Sequence, residues 1–217
     1  MPPHVIIIPG AKTKYVPGFN WLIDSFYEFF GVKTNNRDRA WVEPFKKFLE
    51  SAGNIPVSVF DWPGGVSHFA VTRAAKRLRQ DILSAGRTTP LVIFAKSLGG
   101  NVASLACHGL PSGHPVAKII YVATPHQTKL YPLPSHLSEA NPSHEHITLI
   151  NVQSDADRYV DFAGKALYLG FGDKQPPQLT TIILPGIRHY EFMENVKTEY
   201  ENQPIRTFDL FKKLIEE

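Results

Sequence analysis

Leu91-Val92-Ile93-Phe94-Ala95-Lys96-Ser97-Leu98-Gly99-Gly100 is the stretch on which the reading of this chain turns. The apolar run ending at Ala95 has the length and branching of a strand buried on both faces of a parallel sheet. From Leu98 onward, Val102, Leu105, Ala106 and Gly109 recur on one face of a helix. Ser97 therefore falls in the turn between a strand and a helix. Ala95 and Gly99, two residues to either side, are small enough for that turn to be tight. A serine held there stands clear of the sheet edge at a helix N-terminus, where unpaired N–H groups favour negative charge.

Outward from this stretch, short apolar segments alternate with helical ones. Strands are predicted near Val5–Ile8, Pro56–Phe60, Leu91–Ala95, Ala117–Val122, Ile147–Val152 and Thr181–Leu184. Helices are predicted near Asn20–Phe30, Arg39–Ala52, Val66–Ala85, Leu98–Gly109, Asp161–Leu169, Tyr190–Tyr200 and Thr207–Glu216. Such alternation implies an α/β fold, a mostly parallel sheet with helices on both faces. The longest connection, Ala123 to His146, is Pro-rich and polar, and suits a small cap or surface excursion better than an amphipathic lid.

Composition narrows the function classes. At 217 residues the expectation is one domain, 1–217, with a sizeable core. No apolar stretch approaches the ~18 residues that span a bilayer, so no integral membrane association is expected. The N-terminus lacks the basic region of a signal peptide, and the single cysteine, Cys107, reads as a core thiol; both suit a cytoplasmic setting. A net charge of +3 is mild and argues neither for nucleic acid nor for an anionic membrane surface, and no nucleic-acid partner is expected. The densest basic stretch, Arg73 to Arg79, shares a helix with Val71, Ala74, Ala75, Leu78 and Ile82, and is read as a solvated face.

The pattern small-x-Ser-x-Gly between strand and helix resembles the nucleophile elbow of the α/β-hydrolase superfamily. Ala95 stands where most of that superfamily has glycine, and Lys96 where histidine is frequent. The resemblance implies a compact six-stranded form, order 2-1-3-4-5-6, beginning at that fold's third strand. It also implies the chain order Ser, Asp, His for a catalytic triad. Ser97 takes the nucleophile's place. After the strand Ile147–Val152, the spacing of Ser154, Asp157 and Val160 matches the family's acid loop; Asp157 is the first candidate, Asp155 its rival and Asp161 a third. After the last strand, Gly186-Ile187-Arg188-His189 puts His189 where the family carries its base. Two backbone N–H groups, those of Leu98 and of Ala11 in Pro9-Gly10-Ala11, are the candidates for an oxyanion hole.

On this resemblance the expected activity is that of a lipase- or esterase-type serine hydrolase, acting on a small-molecule ester through an acyl-enzyme, with no cofactor and no metal. Two alternatives use the same fold: a catalytically inactive binding protein, and an acyltransferase or thioesterase with the same triad. Phe19, Trp62 and Tyr159 are candidates for an acyl pocket, with core packing as the competing role for each. Gly10-Ala11-Lys12-Thr13 lacks the upstream glycine of a phosphate loop. His126 reads as structural packing or a second base, and His144-Glu145-His146 lacks metal-site spacing. The oligomeric state is left open.

Overall fold

β3 (Leu91–Lys96) lies third in a six-stranded parallel sheet of order β2-β1-β3-β4-β5-β6. Its neighbours are β1 (His4–Ile8) and β4 (Val116–Val122), followed outward by β2 (Val57–Val59) on one side and β5 (Thr148–Ser154) and β6 (Thr180–Leu184) on the other. This computed structural model describes residues 2–11, 39–65, 67–85, 89–126, 130–134, 147–157 and 179–217. The sheet order is the expected one, and the six strands fall within a few residues of their predicted places.

Because side chains alternate along a strand, the apolar runs feed two cores at once. Ile6, Ile8, Ile93, Ala95, Ile119 and Tyr121 share a core with α2 (His68–Ser84) and α3 (Leu98–Cys107). Val5, Ile7, Val92, Phe94, Ile120 and Val122 share the other with α1 (Val42–Gly53) and α4 (Thr207–Glu216). The second is aromatic at its centre. The Phe45 ring lies 4.7 Å from Phe94 and 4.9 Å from Phe208, and Phe94 lies 5.0 Å from Phe211.

α2 starts on Ser67, whose hydroxyl accepts a hydrogen bond from the Ala70 amide at 3.2 Å. Its buried residues are the predicted stripe Val71, Ala74, Ala75, Leu78 and Ile82. Its other face is exposed at Arg73, Lys76 and Arg77, and its three arginines also make contacts within the chain. Arg79 donates to the carbonyls of His108 and Gly109 at 2.7 and 2.5 Å, capping the end of α3. Arg77 covers the Phe60 ring and donates to the Asp61 carbonyl, and Arg73 covers Phe69.

The helix expected over Tyr190–Tyr200 is not formed. A single 3-10 turn, Glu191–Met193, gives way to β7 (Lys197–Tyr200), which pairs antiparallel with β8 (Gln203–Arg206). Asn195 at φ 53° ends the helical turn, and Glu201 and Asn202 at φ 52° and 61° make the hairpin turn. The predicted helices Asn20–Phe30 and Asp161–Leu169 lie outside the described residues, as does His144-Glu145-His146. Of the long connection after β4, Tyr131 is fully buried, and its hydroxyl lies 3.2 Å from His68 Nδ1. No described helix is long and apolar enough to cross a membrane.

Candidate active site

Ser97 sits between β3 and α3 with φ 51° and ψ −130°, a region that side-chain-bearing residues seldom occupy. Such a conformation costs on the order of 1–3 kcal/mol and persists only when its surroundings enforce it. Here the Ser97 amide donates to the Val122 carbonyl of β4 at 2.9 Å, and the Ser97 carbonyl accepts from Gly100 at 2.9 Å. The small residues after the serine are required by packing. A Cβ on Gly99 would lie 2.5 Å from the Ile8 carbonyl oxygen and 2.8 Å from that of Pro9, and one on Gly100 would collide with Thr124. The first turn of α3 is thus pressed directly onto the ends of β1 and β4.

The loop after β1 meets the serine from the other side. A Cβ on Gly10 would stand 3.1 Å from Ser97 Cβ and 3.7 Å from its Oγ. Ala11, next along, is half-buried against the α2–α3 core. Leu98 is buried as the first residue of α3.

The loops after β5 and β6 are fastened to each other. Ser154 Oγ accepts from the amides of Ala156 at 3.2 Å and Ile187 at 3.0 Å. Asp155 Oδ1 accepts from the Gly186 amide at 2.7 Å, and its side chain faces outward. Asp157 turns inward. His189 Nδ1 donates to Asp157 Oδ2 at 2.9 Å, with both groups buried. With Nδ1–H committed to the carboxylate, the neutral ring carries its lone pair on Nε2. Tyr190 links this loop to the elbow, since Lys96 Nζ, adjacent to Ser97, lies 5.2 Å from the Tyr190 ring centre.

The structure therefore joins Asp157 to His189 and sets Gly10 against Ser97, while Asp155 braces the histidine loop. His126 is placed elsewhere. Its Nε2 lies 3.1 Å from Asn151 Oδ1 and its ring meets Tyr121 edge-on. Burial lowers its pKa to about 4, against a smaller opposing effect of the Asn151 hydrogen bond. Desolvation likewise pushes the Cys107 thiol up to about 12. Trp62 is 1% exposed and donates its indole N–H to the Pro9 carbonyl at 2.8 Å, so it underlies the β1 loop instead of lining an open pocket. Phe19 and Tyr159 lie outside the described residues. Among the described residues no group of three or more His, Cys, Asp or Glu side chains is arranged to hold a metal.

Gly10, Arg39, which donates to the Gly10 carbonyl, and the bracing of the Ile187 amide by Ser154 were missed as contributions to the site. For Gly10 a signal existed, a glycine directly after a strand beside the predicted elbow. Arg39 and Ser154 act on backbone groups distant in sequence, for which spacing carries no sign.

No protein-family model matches the sequence, and no curated protein matches it. Solved structures do. A protein of the alpha/beta superfamily of hydrolases from Xanthomonas campestris pv. campestris superposes over 98% of this chain and 98% of its own, with a TM-score of 0.51 at 12% identity. An alpha-beta serine hydrolase homologue from Coxiella burnetii superposes over 98% of this chain and 83% of its own, with a TM-score of 0.50 at 15% identity. With its β2-β1-β3-β4-β5-β6 parallel sheet and these two likenesses, the chain has the α/β-hydrolase fold.

Proposed function

We propose that this protein is a serine hydrolase that cleaves small carboxylic esters, with Ser97 as nucleophile, His189 as general base and acid, and Asp157 as the group that orients His189. The observation that carries the proposal is the buried 2.9 Å bond between Asp157 and His189, on a loop whose Tyr190 ring meets the side chain of Lys96, the residue before a serine held in a strained strand-to-helix turn. A serine hydroxyl is a weak nucleophile until a base takes its proton. The Asp157 contact fixes the tautomer in which Nε2 can do so, and stabilises the imidazolium that results.

In the first step His189 Nε2 takes the Ser97 proton while Oγ bonds to the ester carbonyl carbon. The carbonyl electrons move onto oxygen, where the N–H groups of Leu98 and Ala11 are assigned to stabilise them. Collapse expels the alcohol, which leaves with the proton held by His189. Water then repeats the sequence against the acyl-enzyme, releasing the acid and restoring Ser97. Every proton is handled by side chains of this chain.

A fluorophosphonate probe tests the reading, because it reacts with activated serines. The expected result is labelling of the wild-type protein at Ser97, none of the Ser97→Ala variant, and hydrolysis of short p-nitrophenyl esters that the variant lacks. A wild-type protein that neither labels nor hydrolyses overturns it and leaves a non-catalytic binding role on this fold.

A further inference from the structure

Pro9-Gly10-Ala11, the stretch proposed to supply an oxyanion donor, carries no polar side chain with which to hold itself. Pro9 lacks an N–H, Gly10 has no side chain and Ala11 carries only a methyl. Its position is set from β2's side of the sheet. Trp62 Nε1–H donates to the Pro9 carbonyl at 2.8 Å. Arg39 Nη2 donates to the Gly10 carbonyl at 3.3 Å and to the Trp62 carbonyl at 2.7 Å, while Nη1 meets Asp61 Oδ1 at 2.6 Å.

Each carbonyl so gripped belongs to a peptide plane whose other end is the N–H of the next residue. The plane is rigid, and in the trans form C=O and N–H point in opposite directions. No described peptide bond is cis. Fixing the Pro9 carbonyl therefore aims the Gly10 N–H, and fixing the Gly10 carbonyl aims the Ala11 N–H. Gly10 lies against the Ser97 side chain, so both planes border the reacting oxygen. A donor on the carbonyl also polarises the amide, and a guanidinium does this more strongly than a neutral group.

We infer that Arg39 and Trp62 are positioning residues for the oxyanion-binding loop, acting through the Gly10 and Pro9 carbonyls to orient and strengthen the N–H groups of Ala11 and Gly10. This rests on the hydrolase reading above. It takes the place of the acyl-pocket role for which Trp62 was a candidate, and it gives Arg39 a part in turnover through the Gly10 carbonyl, while the same guanidinium also holds Asp61 and the Trp62 carbonyl.

The test compares Arg39→Met, Arg39→Lys and Trp62→Phe with wild type on a short p-nitrophenyl ester, alongside inhibition by a trifluoromethyl ketone, which captures the serine as a tetrahedral oxyanion. Losing one oxyanion donor outright typically costs a hundred- to a thousandfold in kcat. A misaimed donor is expected to cost roughly ten- to a hundredfold. Arg39→Met should therefore lower kcat by that factor with KM within about threefold, and weaken the ketone in parallel. The pH midpoint should stay in place, because Asp157 and His189 are untouched, and Arg39→Lys should recover part of the loss. Trp62 is fully buried, so if Trp62→Phe misfolds by circular dichroism the Arg39 pair decides. Arg39→Met and Trp62→Phe both turning over within twofold of an active wild type overturns the positioning role and leaves the hydrolase intact. So does a loss confined to KM, or one that shifts the pH midpoint. A wild type that fails to label with fluorophosphonate instead brings down the hydrolase reading itself.

Discussion

Ser97 spends stability to hold its shape, and the two can be separated by substitution. Glycine reaches positive φ without a side-chain penalty, whereas alanine meets the same obstruction as serine. Ser97→Gly and Ser97→Ala are both expected to abolish ester hydrolysis. Ser97→Gly should be the more stable of the pair by roughly 1 kcal/mol, after allowance for the entropy of a glycine in the unfolded chain. Denaturant unfolding of the two variants measures the difference. The acid loop offers a second separation. Asp157→Asn should lower kcat about ten-thousandfold, since an amide at that place favours the wrong histidine tautomer. Asp155→Asn keeps an oxygen for the Gly186 amide and should stay within about tenfold of wild type. His126 yields a stability signature. Its folded pKa of about 4 lies below the ordinary value near 6.5, so between these limits the unfolded chain binds a proton that the folded chain refuses. Its contribution to stability is therefore complete above pH 6.5 and is lost as pH falls toward 4. His126→Gln should unfold with a flatter pH dependence through that window, by up to about 1.4 kcal/mol per pH unit.

Among the elements, what the sequence disclosed and what it concealed have a common physical cause. The inner strands β1, β3, β4 and β5 are largely apolar runs whose residues are mostly buried, whereas the edge strands β2 and β6 are partly exposed and carry Ser58, Thr180 and Thr181, yet all six lie within a few residues of their predicted places. α2 and α4 were equally plain, since each carries a stripe at helical spacing. The stretch after Tyr190 misled because its apolar residues are few and Glu, Met and Lys favour helices. The hairpin that forms there turns on Glu201-Asn202, without the glycine that ordinarily announces such a turn. Glycine meets no side-chain obstruction at φ 61° but adds freedom to the unfolded chain, so Asn202→Gly is expected to shift stability by less than about 1 kcal/mol, a change in Tm of no more than a few degrees. The place of Ser97 in a strand-to-helix turn and the meeting of Asp157 with His189 were legible because chain order and position after a strand are properties of sequence. The backbone grips by Arg39, Trp62 and Ser154 were hidden because a carbonyl or amide looks the same in every residue.

Across the whole molecule, the parallel sheet brings together segments remote in the chain. His4 pairs with Leu91, and the Ser97 amide is held by Val122. Asp157 lies three residues after β5, and His189 follows β6, the outermost strand on that side. Local structure is thus of little help, and loop-closure entropy must be met before these contacts form. The consequence is a schedule. A chain in the course of synthesis has made its serine long before the carbonyl that bends it or the imidazole proposed to activate it. On the hydrolase reading proposed above, reactivity toward acyl groups is withheld until β4 and then β6 are in place. Refolding from denaturant should show this directly: secondary structure, followed by far-UV circular dichroism, should recover first. Competence to react with a fluorophosphonate should appear only in the last phase, as the edge of the sheet closes.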